Sequence, residues 1–245
     1  MKRTLVLLAL VALVAAPAMG DVLGKVRTAH TGVTPSQTGT IYGRNFENGI
    51  SVYMGLYRQK YDFEHSDDTG YRELRPWGFC IEFNYSTTAW KTYDVRTLEQ
   101  SPEDEGPGGS FMSGAKADYL RELWADVDAA VGVGPGMDAT EAAAFQAAVW
   151  EIIYEDAEAS WDVTSRDEAD KSNSFMVTGL AQTTQDLANS WLGEVDGSGA
   201  TPGPSLVALV HEDHQDYIVI PAPGAILLGL MGLGFVGTWA RKRLV

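Results

Sequence analysis

The stretch from Asp138 to Ile153, DATEAAAFQAAVWEII, governs how the whole chain reads. Asp138 followed three residues later by Glu141 has the form of a capping box, with Asp in place of the usual Ser or Thr. Behind it Phe145, Val149 and Ile152 recur at i, i+4 and i+7, while Gln146, Trp150 and Ile153 repeat on the adjacent stripe. The segment is a helix with a wide apolar face, and Gln146 lies on or beside that face. Toward the N-terminus, Gly132 to Gly136 breaks the helical period. Before the break, Leu120, Leu123, Trp124, Val127 and Val131 mark an amphipathic helix over Ala115 to Ala130.

Further out the period changes. From Asp21 to Arg96 short β-branched and aromatic runs, Thr40 to Tyr42, Ser51 to Tyr57 and Phe79 to Tyr85, are separated by Gly, Asn and Asp, which reads as strands. An acidic, Pro- and Gly-rich loop, Ser101 to Gly109, divides the two regimes. On the C-terminal side a third helix is expected over Leu180 to Leu192, then a flexible loop from Gly193 to Pro204. Leu206 to Val210 and Tyr217 to Ile220 read as a closing hairpin joined by His211-Glu212-Asp213-His214. The fold class is α+β: a β subdomain, barrel or sandwich, built from the first half and the closing hairpin, with an inserted α-helical subdomain over about 113–192.

Both ends carry addresses. Lys2-Arg3, the apolar run Leu5 to Ala16 and Ala18-Met19-Gly20 form a signal peptide over residues 1–20, so the mature chain begins at Asp21. At the other end Pro221-Ala222-Pro223-Gly224 precedes an apolar run from Ala225 to Ala240, and Arg241-Lys242-Arg243 follow. The run is long enough to cross most or all of a bilayer core, and the basic cluster marks the cytoplasmic side. This tail, residues 221–245, resembles the PEP-CTERM sorting signal of exported Gram-negative proteins. It has the proline motif, the glycine-rich apolar helix and the basic stop, with Ala222 where the naming motif has Glu. The resemblance implies cleavage by an exosortase-type enzyme, with inner-membrane anchoring through the C-terminal helix first and transfer to the cell envelope or outside afterwards. A plain C-terminal anchor that is never cut is the other reading.

Between these segments lie roughly 200 residues, enough for one large domain with a sizeable core. Formal net charge is −15, and the terminal segments hold five basic residues and no acidic one. The exported body therefore has 13 basic against 33 acidic residues, a charge of −20. Such a surface argues against nucleic acid or anionic lipid as a partner. Cys80 is the chain's single cysteine, so no internal disulfide forms, and in an exported protein its thiol must be buried, paired to another chain, capped or reactive.

Two local sequences bear on chemistry: Phe79-Cys80-Ile81-Glu82 in an expected strand and Phe145 to Trp150, FQAAVW, in the helix. Together they resemble the thioester domain of bacterial surface adhesins, over roughly Gly43 to Ile220. In that family an aromatic-Cys-aliphatic-acidic strand meets a Gln-x-Ala-aliphatic-Trp segment. Phe145 departs from it, standing where those adhesins commonly have Thr. The resemblance implies an internal thioester between the Cys80 sulfur and the Gln146 side-chain carbonyl, formed with loss of ammonia. An amine or hydroxyl on a surface protein or polysaccharide then attacks the carbonyl and is captured covalently. Such a chain acts once, as a clamp; it binds rather than turns over, and it needs no cofactor.

The residues bear other readings. Cys80 alone reads as a small buried hydrophobe in a strand, and Gln146 alone as a helix-surface residue. An envelope or biofilm-matrix protein without a thioester is the competing class. His211 and His214 lack the further ligands of a zinc site, and a Cys-His hydrolase would need one of them beside Cys80 in an open cleft. Trp77, Trp90, Trp161 and Trp191 are as suited to a core as to sugar stacking. Gln146→Ala is expected to leave the fold nearly intact and to expose a titratable thiol.

Overall fold

The computed structural model describes residues 23–43, 46–62, 74–82, 89–101, 112–155, 161–166, 174–197 and 206–221. The expected signal peptide, the residues after Pro221 and most of the acidic loop lie outside that set.

Among the described residues seven strands and three α-helices follow in the order β1 (Gly24–Tyr42), β2 (Ile50–Asp62), β3 (Leu74–Cys80), β4 (Lys91–Thr97), α1 (Gly114–Ala130), α2 (Ala139–Tyr154), β5 (Met176–Thr178), α3 (Gln182–Leu192), β6 (Val207–His211) and β7 (His214–Pro221). The arrangement is α+β. Every strand pairing is antiparallel, and the sheet runs β2-β3-β7-β6-β4-β1-β5 with β2 also paired to β1. That extra pairing closes six strands into a ring, with β5 attached outside it to the end of β1. Each of those six strands therefore has a partner on both sides over part of its length, and none presents a whole free edge. The 19 residues of β1 make it possible, because its first part pairs with β4 while β2 runs along most of its length.

Register sorts the side chains. Tyr57 pairs with Gly78, Cys80 with Tyr217, Tyr217 with Leu209, Leu209 with Val95 and Tyr93 with Val26, so these residues share the inner face. Inside, Tyr217 packs on Tyr57 and Tyr93 at ring separations of 5.3 and 6.1 Å. Phe79 and Leu56, one position out of step, face the helices. There Phe79 meets Phe145 of α2 at 4.6 Å and Trp124 of α1 at 5.9 Å, and Phe145 meets Trp124 at 5.3 Å and Trp191 of α3 at 6.5 Å. One aromatic cluster thus fastens three helices to the barrel wall.

The helices form where the spacing predicts. Asp138 caps α2 through both Thr140 and Glu141 N–H groups, and Glu141 returns a bond to the Asp138 N–H, the full capping box. The α2 helix is buried on nearly every side from Ala142 to Ile153, so its wide apolar stripe has become a core helix between sheet and α3. The third helix starts at Gln182 rather than Leu180. In the closing hairpin only Glu212 and Asp213 form the turn; His211 and His214 are strand residues that pair across it. Strands β6 and β7 are buried on both faces from Val207 to Val210 and from Gln215 to Ile220, which is why they read as continuous apolar runs rather than as alternation.

Candidate functional site

Cys80 closes β3, and its backbone geometry prepares the site. Ile81 donates its N–H to the Asp216 carbonyl at 3.0 Å, continuing the pairing with β7. Alternation then turns the N–H and C=O of Cys80 to the opposite side, toward β2. There the β2–β3 register ends at Tyr57 and Gly78. The side-chain amide of Gln146, reaching out from α2, takes the place of the missing strand. Its Oε1 accepts the Cys80 N–H at 3.0 Å and its Nε2 donates to the Cys80 carbonyl at 2.8 Å.

A carboxamide is a peptide group without a chain, one planar acceptor beside one planar donor. It matches the backbone of one strand residue. Gln146 is fully buried, as is Cys80, so the helix-surface reading of Gln146 does not hold. A second tie runs from the Tyr154 hydroxyl of α2 to the Ile81 carbonyl at 2.9 Å. Gly78 permits the close approach on the other side, since a Cβ there would stand 2.7 Å from the Ile218 carbonyl oxygen.

The sulfur lies off the strand on the inner face, among polar groups. The Cys80 thiol donates to the Glu82 carbonyl. The Gln215 amide donates through Nε2 to the sulfur at 2.6 Å and to the same carbonyl at 3.1 Å. Tyr57 lies beside Cys80 and Gln215 and is buried, and Tyr217 donates to Gln215 Oε1 at 3.4 Å. Beneath them the Asp216 N–H donates to Glu82 Oε2 at 3.2 Å, and Asp216 Oδ1 accepts from the His211 N–H at 2.7 Å.

Burial pushes the Cys80 thiol well above its ordinary range, and the neighbouring Glu82 and Asp216 carboxyls push the same way. Asp216 is itself held up by burial and by Glu82. The thiol is therefore protonated at neutral pH and closed to bulk solvent, while the carbonyl of Gln146 is polarised by a backbone N–H.

The two residues paired from sequence, Cys80 and Gln146, are thus in direct contact. The histidines are elsewhere. His211 packs on Tyr93 at 5.3 Å and on His214 at 4.5 Å, and its Nδ1 accepts from the Asp213 N–H. Burial lowers the pKa of both histidines. The open cleft that a Cys-His hydrolase requires is not what surrounds the fully buried Cys80, and among the described residues no group of three or more His, Cys, Asp or Glu is arranged to hold a metal. Of the residues expected to form a sorting motif and basic stop, Pro221 ends β7; Ala222, Pro223, Gly224, Arg241, Lys242 and Arg243 lie outside the described residues. Among the described residues no helix is long and apolar enough to cross a membrane.

Sequence reasoning missed Gln215, Tyr57 and Tyr154. Gln215 carried a usable signal: it alternates with Tyr217 and Val219 and so shares a face with Cys80, but the loop assigned up to His214 left it unplaced. Tyr57 and Tyr154 gave none, because nothing local distinguishes a core tyrosine from one whose hydroxyl completes a site. The site is a cysteine and a glutamine joined backbone to side chain in the wall of a closed antiparallel barrel. No protein-family model, curated protein or solved structure matches the chain.

Proposed function

We propose that this chain is an exported attachment protein with a thioester-domain-like fold, in which Cys80 and Gln146 join to form an internal thioester that captures a surface nucleophile. The observation that carries the reading is the amide of Gln146 held against the backbone of Cys80, both residues fully buried. Holding the two residues together makes the attack intramolecular, an advantage that reaches about 7–11 kcal/mol once sulfur and carbonyl carbon are aligned. The sulfur adds to the Gln146 carbonyl carbon, and the charge that develops on Oε1 falls on the atom that already accepts the Cys80 N–H. The carbon–nitrogen bond then breaks, the thiol proton goes to the departing nitrogen, and ammonia leaves. Phe79, Ile81, Phe145, Val149 and Trp150, all buried, keep water from the acyl group. An amine or hydroxyl of a surface protein or polysaccharide takes the acyl group and returns Cys80 as a thiol. The terminal segments fit this role, by a signal peptide for export and a PEP-CTERM-type tail for an exosortase-type enzyme at the membrane.

The test is the intact mass of the exported chain before and after methylamine. A starting mass short by one ammonia that rises by one methylamine, with release of one thiol, is expected. A specific observation favours a second reading: the two hydrogen bonds of Gln146 complete the barrel wall without any covalent bond. On that reading the protein is a non-covalent envelope or matrix component, its mass equals that of the intact chain, and methylamine leaves it unchanged.

A further inference from the structure

Resting on the thioester reading, we propose that Gln215 is the hydrogen-bond donor to the sulfur in that chemistry, stabilising the Cys80 thiolate each time the carbon–sulfur bond forms or breaks. The orientation of its amide is set by chemistry. The Glu82 carbonyl can only accept, so the atom 3.1 Å from it is the nitrogen, and that same nitrogen stands 2.6 Å from Sγ. Its oxygen, turned the other way, receives the Tyr217 hydroxyl. Gln215 is 7% exposed. An N–H is therefore fixed at the sulfur before any charge appears there.

When an amine attacks the Gln146 carbonyl carbon, the new carbon–nitrogen bond forms, the carbon–sulfur bond breaks and its electron pair moves to Sγ. The proton lost by the amine then converts thiolate to thiol. A thiolate in so enclosed a space has three titratable neighbours, the Glu82 and Asp216 carboxyls and the Tyr57 phenol. Neither carboxylate stabilises it. The Gln215 N–H does, and the Glu82 carbonyl, deprived of the S–H in the thioester, keeps Gln215 as its donor.

The experiment uses the full exported chain and Gln215→Met, which retains length and loses the donor. Two quantities are read: the rate of methylamine uptake on the ammonia-short mass, and the pH profile of iodoacetamide alkylation of Cys80, the only cysteine, after opening. Methylamine uptake should slow by about tenfold or more, the factor for one hydrogen bond to a charged group. The alkylation profile should move up by about one pH unit or more, which a merely structural role would not produce. Should Gln215→Met fail to fold, Tyr217→Phe, which frees the same amide to rotate, must shift both in the same direction by less. Unchanged rate and unchanged profile overturn the role of Gln215 while an ammonia-short wild-type mass leaves the thioester standing. A wild type without that mass overturns both.

Discussion

A glutamine side chain ends in the group that a strand backbone normally offers its neighbour, and Gln146 uses it that way. Because both of its bonds are buried, Gln146→Ala strands an N–H and a C=O in the barrel wall. The cost is about 1–3 kcal/mol for each group left unpaired, so the variant is expected to unfold at clearly lower urea concentration than the wild type. This revises the expectation from sequence of a nearly intact fold. Gln146→Glu should be worse, since a carboxylate oxygen would face the Cys80 carbonyl that now accepts from Nε2; its urea midpoint should fall below that of the Ala variant at pH 7. The contact itself was legible only as a pairing of two short motifs. That the amide would bind backbone, and that the sulfur would point to Gln215, depends on which edge of β3 was left unpaired.

At the scale of elements, α2 is the bridge between chemistry and scaffold. Its capping box is exposed and separate from the site, so Asp138→Ala should lower stability by about 0.5–2 kcal/mol while leaving any ammonia-short mass unaltered; thermal unfolding and mass measurement together check this. Phe145 is different. It touches Phe79, Trp124 and Trp191 and immediately precedes Gln146, so Phe145→Ala should cost about 3–5 kcal/mol. It should also loosen the site, seen as faster labelling of Cys80 by a maleimide. The boundaries of α1 and the start of α2 were legible because caps and glycines are local signals. The 19-residue β1 was not, because its continuity comes from partners on two sides rather than from its own alternation.

For the molecule as a whole, buried acids set the pH response. Glu151 is held well above the usual carboxylate range, first by burial and then by Glu155 and Asp162, and Asp216 by burial and Glu82. In the unfolded chain such groups titrate near about 4. The folded protein therefore keeps protons that the unfolded chain has released, and stability falls as pH rises from about 4 toward the raised folded values. Glu99 and Asp162 are held low despite their burial, Glu99 by hydrogen bonds and Arg121, Asp162 by hydrogen bonds from Thr164, Asn189 and Ser165. Their contribution is present above about 4 and is lost as pH falls below it. The stability maximum should therefore lie in mildly acidic solution. Glu151→Gln keeps an oxygen for the Asp162 N–H, which Glu151 Oε1 now accepts at 2.7 Å. It should flatten the decline that sets in above about pH 4 in urea titrations; an unchanged slope would remove Glu151 as its source.

Periodicity, caps and composition by themselves determined the α+β class, the three helices, the closing hairpin and the acidic charge balance, because each is written in residues close together; the pairing of Cys80 with Gln146 came from the resemblance of two short motifs to a known family. Barrel closure, the burial of Gln146, its bonds to the backbone of Cys80 and the polar cradle around the sulfur were decided only in three dimensions. Those features depend on register between strands far apart in sequence. A shift of one residue in β3 against β7 would have turned Cys80 outward and left Gln146 facing a different backbone.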